Sequence, residues 1–455
     1  MEGKVTYSLP ELNSMSMEEI RAMQERLLPG QMKYCYENSP FYKKKFDEVG
    51  ARPEDIMTLD ALHRLPILMT KDDERKSYQE ALEKLGHPFG MHLCAPEEDV
   101  FLTGTTSGTT GIPTFTYTFT KADIELLALA FGHDFSLSGI KRGDRVLFCF
   151  ALGIYATTMG LWGLRHIGAL PIDIDVRAGS QLILKFAEST RASWLVCTPS
   201  LAQYLADKAP SIIQKDVKDL GLKGLKLTGE PWATIPGVKK KIEERYGCCA
   251  FDFTAPAGHA VSVSCDSEEY YGLHGIAPHL CTSFQDFIDP GTREPVEVTD
   301  GAVGEMVITS LQRKACPLVK YAYGDIVQIF TKECPGCGFK GPRIKFIGRA
   351  DDMLIVKGVN VYPSAIKEVM ASFVPRVTGE MRIVLDQPPP RVVPPIRLKI
   401  EHGPQVRNPE LDGLAEEISR ALHNWLKIRP VIEWVGPGSL ERSPRKTPIF
   451  ERNYE

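Results

Sequence analysis

The chain lacks several things that would have narrowed it quickly. No apolar run reaches membrane-spanning length, which excludes a hydropathic spanning helix. It has no basic excess: 54 Lys and Arg stand against 58 Asp and Glu, giving a formal charge of −4, so nucleic-acid capture is not expected. The opening Met1-Glu2-Gly3-Lys4-Val5-Thr6 has no apolar signal core, and the expectation is a cytoplasmic protein that does not act on a membrane. In that compartment the eleven Cys read as thiols or metal ligands rather than as disulfides. No internal repeat is present. No Gly-Lys-Ser/Thr follows the one run rich in Ser, Thr and Gly, which excludes the common nucleotide P-loop. What remains is ordinary globular composition, 43% hydrophobic and 25% charged over 455 residues, enough for two or more domains.

The run itself is the most informative stretch: Thr105, Thr106, Ser107, Gly108, Thr109, Thr110, Gly111, Ile112, Pro113 and Thr114. Glycines let the backbone curl with N–H groups outward, and hydroxyls add donors, so the segment suits a polyanion. A polar linker has the same composition. Strand-like text flanks the run, Val100-Phe101-Leu102 before and Phe115 to Phe119 after, which favours a fixed loop over a tether.

Along the chain, residues 16–49 carry helical text that Pro40 interrupts. From about 95 to 260, apolar runs such as Arg145–Phe150, Ala169–Ile172 and Trp194–Pro199 alternate with helical segments. That alternation predicts βαβ units on a mainly parallel sheet. Residues 280–345 read as short antiparallel or barrel-like strands separated by Pro, Gly and Asp turns. After Arg349 the order is strand, helix, strand, Pro-rich loop 387–395, strand, helix, strand, a compact α+β unit of about a hundred residues. The expected fold is α/β: a large N-terminal domain over 1–348 with a small β subdomain, then a small α+β C-terminal domain over 349–455.

Chemistry-bearing residues are scattered. Gly229-Glu230-Pro231-Trp232 closes a strand and opens helical text, the place where α/β folds bind ligands; a packing corner reads the same. Asp325, after apolar text, suits two ribose hydroxyls as an acceptor-only group, or simply forms a turn. The segment Ile347-Gly348-Arg349-Ala350-Asp351-Asp352, running on through Lys357-Gly358 to Ser364, sits where the composition changes. Cys334-Pro335-Gly336-Cys337 has zinc-like spacing, with Cys265 and His274 upstream; buried free thiols are the alternative. Lys446, in Ser443-Pro444-Arg445-Lys446-Thr447, belongs either to a basic tail or to a site.

Together, from Tyr36-Glu37-Asn38-Ser39-Pro40-Phe41-Tyr42 through Leu65-Pro66-Ile67 near Lys71 to Lys446, these motifs resemble the phenylacetate–CoA ligase family of AMP-forming adenylating enzymes. The resemblance implies ATP, Mg²⁺ and CoA, an aromatic carboxylic acid as substrate, and two half-reactions about a hinge. It implies that Lys446 and Thr254 act in adenylation. It implies that Thr106, Ser107, Gly108, Thr109, Thr110, Gly111, Gly229, Glu230, Pro231, Asp252, Phe253, Thr254, Asp325 and Arg349 bind the nucleotide. Tyr155, Phe251 and Pro256 would line the acyl pocket. Asp351 would be the hinge, with Lys357 and Gly358 toward CoA and the C-terminal domain mobile about it. Cys265, His274, Cys334 and Cys337 would hold a structural zinc in a subdomain of about 260–345. The sequence departs from the family at Ala255, where an acid assists Mg²⁺; Asp252 or Glu230 is the substitute expected. A homodimer is left open. So are two other readings: an adenylating enzyme with a different acceptor, and a degenerate nucleotide or acyl-AMP binder.

Overall fold

The computed structural model describes residues 9–105, 115–153, 156–230, 232–235, 237–357, 359–441 and 448–454. The expected helical text at 16–49 is two helices. Ser16 caps the first, Met17–Asn38, through a capping box with Glu19. Ser39 caps the second, Pro40–Glu48, by accepting from the Tyr42 amide. Pro40 therefore begins a helix at its first position, where a missing N–H costs nothing.

One eleven-stranded sheet organises the larger part of the chain. Five strands, Arg145–Phe148, Leu170–Asp173, Trp194–Cys197, Gly224–Leu227 and Cys249–Thr254, pair in parallel, as the βαβ reading predicts. They alternate cleanly between two faces. Val146, Phe148, Val196, Phe251 and Phe253 pack with the helix Lys121–Leu137. Leu147, Leu195, Leu225, Leu227 and Ala250 pack with Ser180–Ser189 and Pro199–Ile212 on the other side. Helices on both faces bury this half of the sheet, which is why its strands read as continuous apolar text.

The antiparallel strands expected at 280–345 are present, and they extend the same sheet. Cys249–Thr254 passes through Ser262–Val263 and Leu273–Gly275 to Arg343–Arg349, Tyr321–Phe330, Val303–Ile308 and Phe287–Ile288. The N-terminal helices cover this half through Leu28, Met32, Tyr42 and Phe46.

Past Arg349, a hairpin of Leu354–Val356 and Val359–Val361 leads into the helix Pro363–Ala371. A separate four-stranded sheet joins Pro430–Val435, Ile396–His402, Val377–Leu385 and Phe450–Arg452. Its apolar cluster draws only on residues from Leu354 onward. The element order follows the sequence reading with three additions: the strand read at 356–361 is a hairpin of two, the Pro-rich loop contributes the short strand Arg391–Val392, and Phe450–Arg452 adds a last strand. At the junction, a Cβ on Gly348 would stand 2.7 Å from the Tyr362 ring, so only glycine admits that close approach. No described helix is long and apolar enough to cross a membrane.

Candidate functional site

The parallel strands end together. Register pairs Phe148 with Val196, Cys197 with Leu227, and Leu227 with Asp252. Ala151–Leu152, Thr198, Thr228–Glu230 and Thr254–Gly258 therefore leave from one carboxyl edge, where ligands collect in this class of sheet. Thr198 caps the helix Pro199–Ile212, and the Ser200 hydroxyl donates to the Glu230 carboxylate. Gly229 turns with φ +93°, a left-handed conformation suited to glycine.

The Ser/Thr-rich run is bracketed by a strand pair. Val100–Leu102 pairs antiparallel with Phe119–Thr120, and Gly104 and Tyr117 exchange backbone bonds at 2.9 and 3.3 Å. Ala156 donates its amide to the Thr105 carbonyl at 3.1 Å, which joins the run's entrance to the segment expected at the acyl pocket. Thr106, Ser107, Gly108, Thr109, Thr110 and Gly111 lie outside the described residues, as do Tyr155, Pro231, Gly358 and Lys446.

Asp252 and Thr254 sit on the opposite face of their strand from Phe251 and Phe253. Phe251 stacks near Trp194 with ring centroids 6.2 Å apart, and the Lys226 ammonium lies 4.8 Å from the Phe253 ring. Both phenylalanines are core side chains packed toward the helix Lys121–Leu137. Asp252 accepts from Trp232 Nε1 at 3.0 Å and from the Tyr270 hydroxyl at 2.8 Å. Burial pushes its carboxyl up to about 7, against the pull of those donors. Each Asp252 oxygen thus accepts one hydrogen bond, from Trp232 on Oδ1 and from Tyr270 on Oδ2. Trp232 belongs to the Gly229–Trp232 turn, so the carboxylate holds that turn to the neighbouring strand.

Asp325 lies inside the ten-residue strand Tyr321–Phe330, not at a turn as the sequence suggests. Gly324 with φ +93° supplies the local bend. The register sets Asp325 opposite Arg349, and Arg349 NH1 donates to its Oδ1 at 2.6 Å. Arg349 also reaches Asp351 Oδ1 through Nε at 2.9 Å and the Tyr323 carbonyl at 3.2 Å. Burial works against the Arg349 charge, but Asp325 and Asp351 overcome it and hold the guanidinium above its usual range. Burial likewise raises Asp351, and Arg349 with Lys71 overrides it, holding the carboxyl down at about 2.

Lys71 had no role assigned from sequence, yet its Nζ bonds Asp351 Oδ2 at 3.0 Å. It gets there because Met69 bridges to Tyr321 and Ala322 donates to the Met69 carbonyl. That pairing delivers the first residue of the helix Lys71–Leu85 to the Arg349 cluster. No local pattern marks it. Lys357 is exposed, with φ +51°, at the turn of the following hairpin.

Cys265, His274, Cys334 and Cys337 converge, with their ligand atoms all within 4.8 Å of one another. His274 Nδ1 lies 2.9 Å from the Val263 carbonyl, an acceptor, so Nδ1 carries the proton. That leaves Nε2 facing Cys337 Sγ at 3.4 Å. A ligand imidazole is oriented in this way by its second nitrogen. Burial holds His274 down at about 4, neutral and ready to coordinate. The donor set of three sulfurs and one nitrogen fits tetrahedral zinc.

Comparison with known proteins agrees with this architecture. Residues 358–450 match the AMP-binding enzyme C-terminal domain. The chain is 30% identical to the phenylacetate–coenzyme A ligase of Thermus thermophilus over 95% of this chain and 96% of that one. It is 32% identical to the Pseudomonas putida phenylacetate–coenzyme A ligase over 79% and 77% of the two chains. Among solved structures, 2-hydroxyisobutyryl-CoA ligase in its postadenylation state aligns at 26% identity and a TM-score of 0.84, covering 99% of this chain and 94% of that one. The same ligase in its thioesterification state gives 0.69, with 100% and 97% covered. The arrangement seen here is the closer to the postadenylation form.

Proposed function

The chain belongs to the phenylacetate–coenzyme A ligase family, and on that footing we propose that it activates an aromatic carboxylic acid for transfer to CoA. Activity of this kind is that of an AMP-forming acid–thiol ligase working through an acyl-adenylate. A carboxylate oxygen attacks the α-phosphorus of ATP, the α–β bridging P–O bond breaks, and pyrophosphate leaves. The CoA thiolate then attacks the acyl carbon, the carbonyl C–O bond to the phosphate breaks, and AMP leaves.

The observation that carries the reading is the Asp325–Arg349–Asp351 cluster, in a chain similar along its length to a phenylacetate–coenzyme A ligase. Asp325 takes the ribose hydroxyls, Arg349 takes the phosphate side, and Thr254 with the Ser/Thr-rich run takes the phosphates. Gly229, Glu230 and Asp252 shape the floor under the base. Lys446 neutralises charge shared between carboxylate and α-phosphate. Residues 1–348 and 349–455 are the two bodies, swinging about Asp351; the separate apolar cluster from Leu354 onward supports that division. A swing answers a chemical need, since the adenylate must be shielded from water before a thiol is admitted.

Mg²⁺ fits less well than in relatives with an acid at position 255. With Ala255 there, Asp252 already bonded to Trp232 and Tyr270, and Glu230 bonded to Ser200, the contacts these acids would offer it are outer-sphere. Zinc fits the four-ligand cluster and would be structural. The compartment proposed is the cytoplasm.

The test is pyrophosphate release from ATP with a panel of aromatic acids and 2-hydroxyisobutyrate, followed by mass detection of the thioester when CoA is added. Release with an aromatic acid and a CoA thioester is the expected result. Release without thioester would point to another acceptor, and no release with any acid would leave a nucleotide binder.

A further inference from the structure

Arg313 is a buried cation with no part in the chemistry described above. It is 4% exposed, and its guanidinium lies 4.2 Å from the Phe119 ring centroid. NH2 donates to the Thr116 carbonyl at 2.6 Å and to the Thr118 carbonyl at 2.9 Å. Nε adds the Thr118 carbonyl at 3.3 Å, and NH1 reaches the Ala257 carbonyl at 3.4 Å. One planar group thus holds two segments about 140 residues apart in sequence: the exit of the Ser/Thr-rich run, and the turn that follows Thr254.

That turn is under strain. Ala257 has φ +52° and is fully buried, a left-handed conformation that a non-glycine residue keeps only when its surroundings hold it. Its carbonyl also lies 2.8 Å from His259 Nδ1, and Ser310 Oγ lies 3.1 Å from the other ring nitrogen. The arginine is itself fixed: Gln31 donates to its carbonyl at 2.7 Å, and Asp123 accepts the next two amides, Lys314 and Ala315, at 2.7 and 3.0 Å.

Among the described residues the guanidinium contacts carbonyl oxygens, the Phe119 ring and His259 Nδ1 at 3.3 Å, with no carboxylate bonded to it. The two acids that feel its field are bonded to other donors: Asp123 to the amides just named and to Thr120, and Glu74 to the Tyr321 hydroxyl at 2.7 Å. A guanidinium stays ionised in proteins, and a buried charge acts over longer distances than an exposed one. Here it is bonded to the residues that follow the Ser/Thr-rich run and to the turn that follows Thr254.

We propose that Arg313 is a positioning residue for ATP. It sets the spacing between the exit of the Ser/Thr-rich run and the Thr254–Gly258 turn, and adds positive potential beneath the triphosphate. The inference rests on the adenylating reading, because it assigns those two segments to phosphate.

The full-length protein is compared with Arg313→Lys and Arg313→Met. ATP affinity is measured by calorimetry with Mg²⁺, ATP KM by pyrophosphate release, and the CoA step with supplied phenylacetyl-adenylate. Met removes charge and donors, so its Kd and KM for ATP should rise at least twentyfold while the KM for CoA stays within twofold. Lys keeps the charge but cannot span three carbonyls, so its ATP Kd should rise three- to fivefold. A Met variant that melts cooperatively and binds ATP within threefold of wild type overturns the proposal. So does equal loss in the ATP and CoA steps, which would mark a merely structural role. If the Met variant does not fold, Lys decides: a rise below threefold overturns the proposal. If the wild type binds ATP yet releases no pyrophosphate, the ligase reading fails and the Kd comparison still decides Arg313. If it binds no ATP, both fail.

Discussion

Arg349 donates to Asp325 at 2.6 Å across a strand pair that sets the two residues opposite each other. The contact is largely shielded from water, with side-chain exposures of 25% and 10%, so the guanidinium has a fixed direction. Its other edge holds Asp351. One arginine therefore reads two acids, one on the larger sheet and one at the start of the segment leading to the C-terminal elements.

Asp325→Asn is expected to raise the KM for ATP more than tenfold and to remove the preference for ATP over 2′,3′-dideoxy-ATP. A carboxylate accepts two hydroxyls at once, whereas an amide offers one acceptor. Steady-state kinetics with both nucleotides checks this, and a variant that keeps the wild-type preference would show that the ribose is read elsewhere.

Asp351→Pro restricts φ at the proposed hinge. Pyrophosphate release should stay within threefold of wild type, while thioester formation falls more than tenfold. Lys71→Met acts more gently, because a solvent-exposed ion pair contributes about 0–1 kcal/mol. It should move the ratio of thioester formation to adenylation upward by no more than about fivefold. Separate assays of the half-reactions measure both, and normal thioester formation in Asp351→Pro would exclude rotation at that residue.

Asp252 makes stability depend on pH in a direction opposite to most carboxylates. Its folded value, raised to about 7 by burial, lies above the ordinary carboxylate range near 4. Between those limits the folded protein binds the proton and the unfolded chain does not. Stability from this group is full below about pH 4 and falls as pH rises toward 7. Asp252→Asn should flatten the corresponding decline in melting temperature, and an unchanged slope in the variant would mean that the carboxyl titrates normally.

The Cys265–His274–Cys334–Cys337 cluster should hold one zinc per chain, measured by elemental analysis of protein purified without chelator. Strong chelation, or Cys334→Ser, is expected to lower the melting temperature by several degrees before activity per folded molecule changes, because a closed four-ligand site stabilises rather than reacts. Zinc-free protein of undiminished stability would falsify the assignment.

Local order was legible from the sequence. The alternation of apolar strands and capped helices follows from periodicity and end signals that neighbouring residues carry, and the C-terminal element order came through almost intact. Misplacements occurred where local text is ambiguous. Pro40 reads as a helix terminator, yet it opens the second of two helices once Ser39 caps it. Asp325 reads as a turn residue beside Gly324, yet the glycine bends a strand that continues through it.

The sequence alone determined the α/β class and the family resemblance, because each rests on residue types at fixed spacing, and it named four Cys and His side chains that the fold brings within 4.8 Å of one another. Tertiary structure decided which polar groups are committed. Asp252 reads as a free acid in the sequence, and the fold sets Trp232 and Tyr270 on its two oxygens. Lys71 meets Asp351 across 280 residues, and Arg313 meets Thr116 across 197. Such contacts depend on strand order, which places Tyr321–Phe330 beside Arg343–Arg349 and returns the chain through Leu273–Gly275 to Cys249–Thr254. Periodicity fixes which face a side chain takes, and only the order of strands across the sheet fixes what it meets there.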